Sequence, residues 1–184
     1  MKSLRLLAFT AVVIILDQIT KWIIHTRMEL YQSIPVLGDF FRLTYVENTG
    51  MVFGIQAGNS GFFTVFAAIA SLAILLYFFR MKGEHFIARF AMAIILGGAI
   101  GNLWDRITRR SVVDFLDVEF FDINIPAFQF LFLDFPGYSL NRWPVFNVAD
   151  IALTVGMILL FFFVLFERRE SHESEEIEVG EVIR

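Results

Sequence analysis

Of the chain's 184 residues, 57% are apolar and 18% charged, whereas about a quarter of an ordinary soluble domain is charged; a water-soluble globule is therefore the wrong class. Of 15 basic and 19 acidic residues the last 18 positions hold three and seven, leaving twelve of each sign in the body, so the formal charge of -4 belongs to the tail and implies no nucleic-acid partner. The absence of cysteine removes disulfides, thiol nucleophiles and thiolate metal sites, while 23 phenylalanines suit contact with lipid.

Four apolar runs approach the roughly 20 residues needed to cross a bilayer core. The first, about 4–25, follows Lys2 and Arg5 as a signal peptide would, but Asp17 and Lys21 inside it and the lack of a small-residue cleavage site predict a retained helix. Residues 26–60 contain the alternating FFRLTYVEN, read as a strand, and the Gly-bounded turn NTGMVFG. The second span, 61–79, carries no charge and ends at Arg80. A short polar connection leads to the third, about 88–105, in which Gly97 and Gly101 form a small-xxx-small pair suited to close helix packing. Residues 106–149 include FFDINIPAFQFLFLDFPGY, too apolar for a solvated loop and read as lying on the bilayer surface. The fourth span, 150–166, stops at Glu167-Arg168-Arg169, and 167–184 is an acidic tail expected to be disordered.

The expected fold is thus an all-α integral membrane protein: a single polytopic body over 1–166, with four transmembrane helices, a small β-containing cradle and an interfacial loop. Four spans place both termini on one side and segments 26–60 and 106–149 on the other. Seven basic residues fall on the side of the termini and six opposite, the seven abutting helix ends; this favours cytoplasmic termini.

Charges in or beside a membrane span are costly and are paired or functional by default. Asp17 and Lys21 are spaced i, i+4 and share a helix face, which suits a structural pair. Asp105 ends the third span, Asp150 begins the fourth, and Asp114 lies nine residues beyond Asp105, so several carboxylates meet one interface. Two carboxylates sharing a proton can act as base on a water and as acid on a carbonyl. Asp117, Asp122 and Asp134 compete for the same role, and a solvated loop edge explains any one acid. The histidines His25, His85 and His172 form no zinc motif, and GNSG at 58–61 is no nucleophile elbow. His25 reads as a polar cap. Asn102, in a membrane helix, needs partners and could bond a substrate backbone, whereas Asn48 and Asn147 could equally be turn or cap residues.

Together LDQITK (16–21), ENTGMVFG (47–54), GGAIGNLWDR (97–106), VVDF (112–115) and FNVAD (146–150) resemble, in this order, the lipoprotein signal peptidases, or signal peptidase II. The resemblance implies a bacterial inner-membrane aspartyl endopeptidase, active at the outer, periplasmic face, that removes signal peptides from prolipoproteins by cutting before a diacylglyceryl-modified cysteine. It implies Asp114 and Asp150 as the catalytic pair, Asn102, Arg106, Asn48 and Gly50 as substrate-binding, and Asp17, Lys21, Gly101, Asp105, Asn147 and Ala149 as supporting. No metal or organic cofactor is implied; the expected partners are lipidated prolipoproteins and membrane lipids, with the chain a monomer.

The separation of 36 positions from Asp114 to Asp150 exceeds the usual family spacing, so 116–145 reads as an insert, either a lid over substrate or an interfacial anchor. Two rival classes are a noncatalytic lipid- or lipoprotein-binding protein of the same fold and a small ion-coupled transporter. The carrier predicts functional charges at several depths on both faces, and these charges cluster toward one.

Overall fold

The computed structural model describes residues 2–52, 55–56, 60–80, 86–119, 122–130 and 133–182. The elements run α1 (Lys2–Arg27), β1 (Ser33–Leu37), β2 (Phe41–Asn48), β3 (Met51–Val52), β4 (Ile55–Gln56), α2 (Ser60–Arg80) and α3 (Phe86–Arg109). They continue with β5 (Val112–Val118), β6 (Ile123–Ile125), β7 (Phe128–Phe130), β8 (Leu133–Phe135), β9 (Tyr138–Leu140) and α4 (Val148–Val182). Among the described residues, four helices are long and apolar enough to cross a membrane. The polar connection at 81–85 with His85, and the start of GNSG, lie outside the described residues.

Two differences from the sequence reading concern helix ends. The third span starts at Phe86 and runs on to Arg109, past its expected end at Asp105. The fourth helix continues through the acidic tail to Val182, where disorder is expected; Glu is a good helix former, and extending an existing helix avoids the cost of nucleating one.

The contacts divide the chain into two units, one of Met1–Gln18, Thr64–Trp104 and Val148–Arg184 and the other of Ile19–Phe63 and Asp105–Asn147. The first is helical. Its buried centre joins Leu6, Phe78, Met92 and Ala93, with Leu7, Ile74 and Phe90 packed around them. Small residues let α3 approach α1 closely: a Cβ on Gly97 would stand 2.7 Å from the Val13 Cβ and 3.0 Å from the Thr10 carbonyl oxygen. The Thr10 hydroxyl donates to the Ala93 carbonyl at 2.7 Å, satisfying a polar group that neither apolar packing nor lipid would solvate. Large apolar side chains such as Val65, Phe66 and Ile69 of α2 are exposed, as they must be where the solvent is hydrocarbon.

The second unit is built on a sheet of order β1-β2-β5, antiparallel throughout. The β2–β5 register shifts between Leu43 and Val46, so one extra residue is accommodated in β2 around Thr44 and Tyr45. The backbone there is satisfied from outside the sheet: Tyr45 N donates to the Gln32 carbonyl at 3.0 Å, and Tyr31 N donates to the Tyr45 carbonyl at 2.8 Å. These bonds hold Tyr31 at a φ of 67°, a left-handed conformation costly for a bulky side chain.

The apolar insert forms strands. Ile123 lies opposite Leu140 and Ile125 opposite Tyr138, while Phe128 lies opposite Phe135 and Phe130 opposite Leu133. Both ladders keep one register, so they are a single ribbon, broken where Pro126 and Pro136 have no N–H to give. Its stem is fixed to the sheet: Glu119 N donates to the Phe40 carbonyl at 2.9 Å and Trp143 N to the Val118 carbonyl at 3.1 Å. Arg142 closes the base, its Nε 2.7 Å from Asp117 Oδ1 and its Nη1 2.9 Å from the Asp39 carbonyl oxygen.

Candidate active site

In the helical unit the chemistry gathers at the start of α4. Asp150 stands in the first turn, where the helix dipole favours an anion. The Asn102 amide of α3, 6% exposed, donates to Asp150 Oδ1 at 2.8 Å. One residue earlier, Ala149 N donates to Asp17 Oδ1 at 2.9 Å, so an α1 side chain caps α4. Gln18 Nε2 donates to the other Asp17 oxygen at 3.1 Å and to the Gly101 carbonyl at 3.2 Å.

Glycines on α3 make room for this. A Cβ on Gly101 would sit 2.6 Å from Asp17 Oδ2, and one on Gly98 would press into the Ala149 carbonyl oxygen. Backbone cannot swing aside as a flexible side chain can, so Gly98→Ala should destabilise the protein by about 1–3 kcal/mol. Thermal unfolding of the purified protein checks this, and an unchanged midpoint would show that α3 and α4 can separate freely there.

In the sheet unit the centre is Asp114 of β5, 3% exposed. Asn147, fully buried, donates to Asp114 Oδ1 at 2.7 Å, and Asn48 at the end of β2 donates to Oδ2 at 3.1 Å. The direction of the second bond is fixed locally. Gly50 N donates to Asn48 Oδ1 at 2.9 Å, committing the amide oxygen and leaving the NH2 for the carboxylate. Gly50 has a φ of 120°, and a Cβ there would meet the Phe63 ring at 2.7 Å, so this turn requires glycine.

Lys21 and Asp105, both fully buried, form an ion pair at 3.1 Å. Asp105 Oδ2 also accepts from Val113 N at 3.3 Å, one residue before Asp114. Thus Asp17 and Lys21 each reach another element, beyond the shared helix face that their spacing suggests. Arg106 lies partly buried near the end of α3, and its carbonyl accepts from Arg110 N at 3.2 Å.

Of the competing acids, Asp117 is occupied by Arg142 and by the Thr44 hydroxyl at 2.6 Å. His25 does more than cap a helix. Its Nδ1 stands 2.7 Å from the Tyr45 hydroxyl, which donates to Glu47 Oε1 at 2.6 Å. Burial first, then the Glu47 carboxylate, pushes the Tyr45 phenol above the ordinary tyrosine range, against the opposing pull of Arg109. The sequence signals Glu47 only through its period-two spacing from Tyr45 in one strand, which puts the two on a shared face.

Buried carboxylates held by amides, on a chain of four apolar helices with a small sheet, define a multi-pass membrane protein with an acidic site. The sequence profile of the family described as Signal peptidase (SPase) II matches residues 9–166, and the chain belongs to that family. The lipoprotein signal peptidase of Symbiobacterium thermophilum is 42% identical over 164 residues, covering 89% of this chain and 95% of the relative. That of Bacillus velezensis is 37% identical over 161 residues, covering 88% and 94%. Among solved structures, a bacterial membrane enzyme determined in meso at 2.3 Å has a TM-score of 0.73 and 30% identity, covering 89% of both chains. Another, determined at 1.9 Å, has a TM-score of 0.68 and 31% identity, covering 88% of this chain and 92% of the other. This is a multi-pass bacterial membrane protein.

Proposed function

We infer that the chain is an aspartic endopeptidase that removes signal peptides from prolipoproteins, cutting before a lipid-modified cysteine. The observation that carries this reading is the family match over 9–166, which includes both VVDF and FNVAD. Asp114 and Asp150 are proposed as the catalytic pair. One carboxylate takes a proton from a water whose oxygen attacks the scissile carbonyl carbon. The other, protonated, hydrogen-bonds the carbonyl oxygen and then gives its proton to the leaving amine as the C–N bond breaks. The pair titrates as a unit, so neither member is assigned the resting proton.

The amide donors support this assignment. Asn48 and Asn147 occupy both Asp114 oxygens from one side each, and Asn147 stands three residues before Asp150 in the chain. Asn102 steadies Asp150, and Arg106, with its planar fork, suits a substrate carbonyl or a lipid phosphate. Asn48 and Gly50 shape the substrate cradle, while Asp17, Lys21, Gly101, Asp105, Asn147 and Ala149 hold it. A lipidated substrate presents its peptide bond at the headgroup boundary, which accords with a monomer in the inner membrane, termini cytoplasmic and acidic site at the outer face.

The test is cleavage in lipid of a diacylglyceryl-modified prolipoprotein beside its unlipidated precursor. Cleavage of the lipidated form alone is expected. Equal rates on both would remove the substrate assignment, and no cleavage of either would remove the peptidase reading.

A further inference from the structure

Beneath the cradle lies a polar relay that the proposed chemistry does not use. Glu47 follows the bulged part of β2 and pairs in register with Val113. Its two oxygens are both occupied: Oε1 accepts from Tyr45 Oη at 2.6 Å and Oε2 from Ser111 Oγ at 3.2 Å. Tyr45 has one hydroxyl proton, and it goes to Glu47; His25 at 2.7 Å must therefore donate from Nδ1 to the phenolic oxygen. The relay runs in one direction, from His25 at the end of α1 through Tyr45 to Glu47, with Ser111 converging from the turn after α3. Tyr45 and Ser111 are 4% and 3% exposed, and a carboxylate that only faced water would leave such hydroxyls unsatisfied.

The turn from α3 is itself held in an unfavourable shape. Arg110 has a φ of 64°, a conformation that usually falls to glycine after a helix. The next residue is Ser111, so the Glu47 contact fixes the chain where it leaves that turn for β5. Glu47 thus joins its own strand, and through Tyr45 the end of α1, to the turn after α3; it stands between Val46, which lies opposite Asp114, and Asn48, which donates to it. Alternation along the strand sends Glu47 to the face away from Asp114 and Asn48 toward it.

We propose that Glu47 is a positioning residue: by anchoring the end of β2 to His25, Tyr45 and Ser111, it fixes Asn48 and thereby the direction in which the Asp114 carboxylate is held. This rests on the reading of Asp114 as catalytic. A side chain acting in this way affects the chemical step more than substrate capture, because it sets the geometry of a reacting group.

Steady-state cleavage of a lipidated prolipoprotein in lipid tests the proposal. Glu47→Ala should lower kcat about ten-fold or more with KM changed less than about two-fold. On an Asn48→Ala background the same change should cost nothing further, since the route through Asn48 is already gone. Glu47→Gln keeps one acceptor oxygen and should fall between wild type and Glu47→Ala; it also serves if Glu47→Ala fails to fold. Wild-type kcat in folded Glu47→Gln and Glu47→Ala, or an undiminished loss on the Asn48→Ala background, would overturn the proposal. Asp114→Asn run in parallel separates the two readings. If it is inactive while the Glu47 variants are normal, only the positioning role fails; if it is active, the catalytic assignment beneath it fails.

Discussion

Asp114→Asn and Asp150→Asn should each lower kcat on a lipidated prolipoprotein by about three orders of magnitude or more, the scale seen when one member of a concerted catalytic set is removed. An amide has nearly the shape of a carboxylate but cannot take a proton from water or pass one to a leaving amine. The two variants should differ in stability, and the difference reports on the hydrogen bonds. At Asp150 the Asn102 amide donates to Oδ1 at 2.8 Å, and an amide can turn its oxygen to accept that bond. At Asp114 two amides donate, Asn147 to Oδ1 and Asn48 to Oδ2. An asparagine there has one carbonyl oxygen, so a donor must face a donor, at a cost of about 1–3 kcal/mol. Cleavage assays and thermal unfolding of both proteins check the pair of expectations. Full activity in both amides would remove the dyad; equal stability would show that the Asp114 bonds can rearrange.

Lys21→Ala should be the most destabilising single change outside the acidic pair. Lys21 and Asp105 are both fully buried and 3.1 Å apart, and removing one member strands the other charge, which costs about 3–5 kcal/mol in comparable buried pairs. Replacing both, as Lys21→Met with Asp105→Leu, removes the stranded charge and should recover part of the loss. Recovery stays partial because Asp105 also accepts from Val113 N at 3.3 Å, and that N–H would then have no acceptor. The measurement is the thermal midpoint of each variant in detergent, with cleavage as a second reading, since Val113 precedes Asp114. If the single variant matches wild type, the pair is screened by water and does not hold β5.

The four helices were legible because hydrocarbon burial demands long apolar runs, and Gly61–Arg80 is such a run without interruption. The strand through FFRLTYVEN was legible from its alternation, and β2 spans Phe41–Asn48. By contrast, local pattern marks neither β5 nor the ribbon from Ile123 to Leu140 as strands. VVDFLDV alternates poorly because its first residues are buried on both faces, and the ribbon's repeat is broken by Pro126 and Pro136. Asn48 and Asn147 looked like ordinary turn or cap residues. Their meaning depends on an acceptor 66 and 33 residues away, a distance that local pattern does not carry. The same holds for Glu47, whose Ser111 partner is 64 residues on.

The cap that Asp17 provides has a consequence for the order of synthesis. Its acceptor oxygen waits for an N–H made 132 residues later, and Lys21 waits for Asp105 in the third helix. Both of these contacts of α1 therefore join it to elements made later in the chain. The buried contacts around Asp17 and Lys21 are thus complete only once α3 and α4 have been made, so a chain cut short before α4 would lack the cap at Ala149.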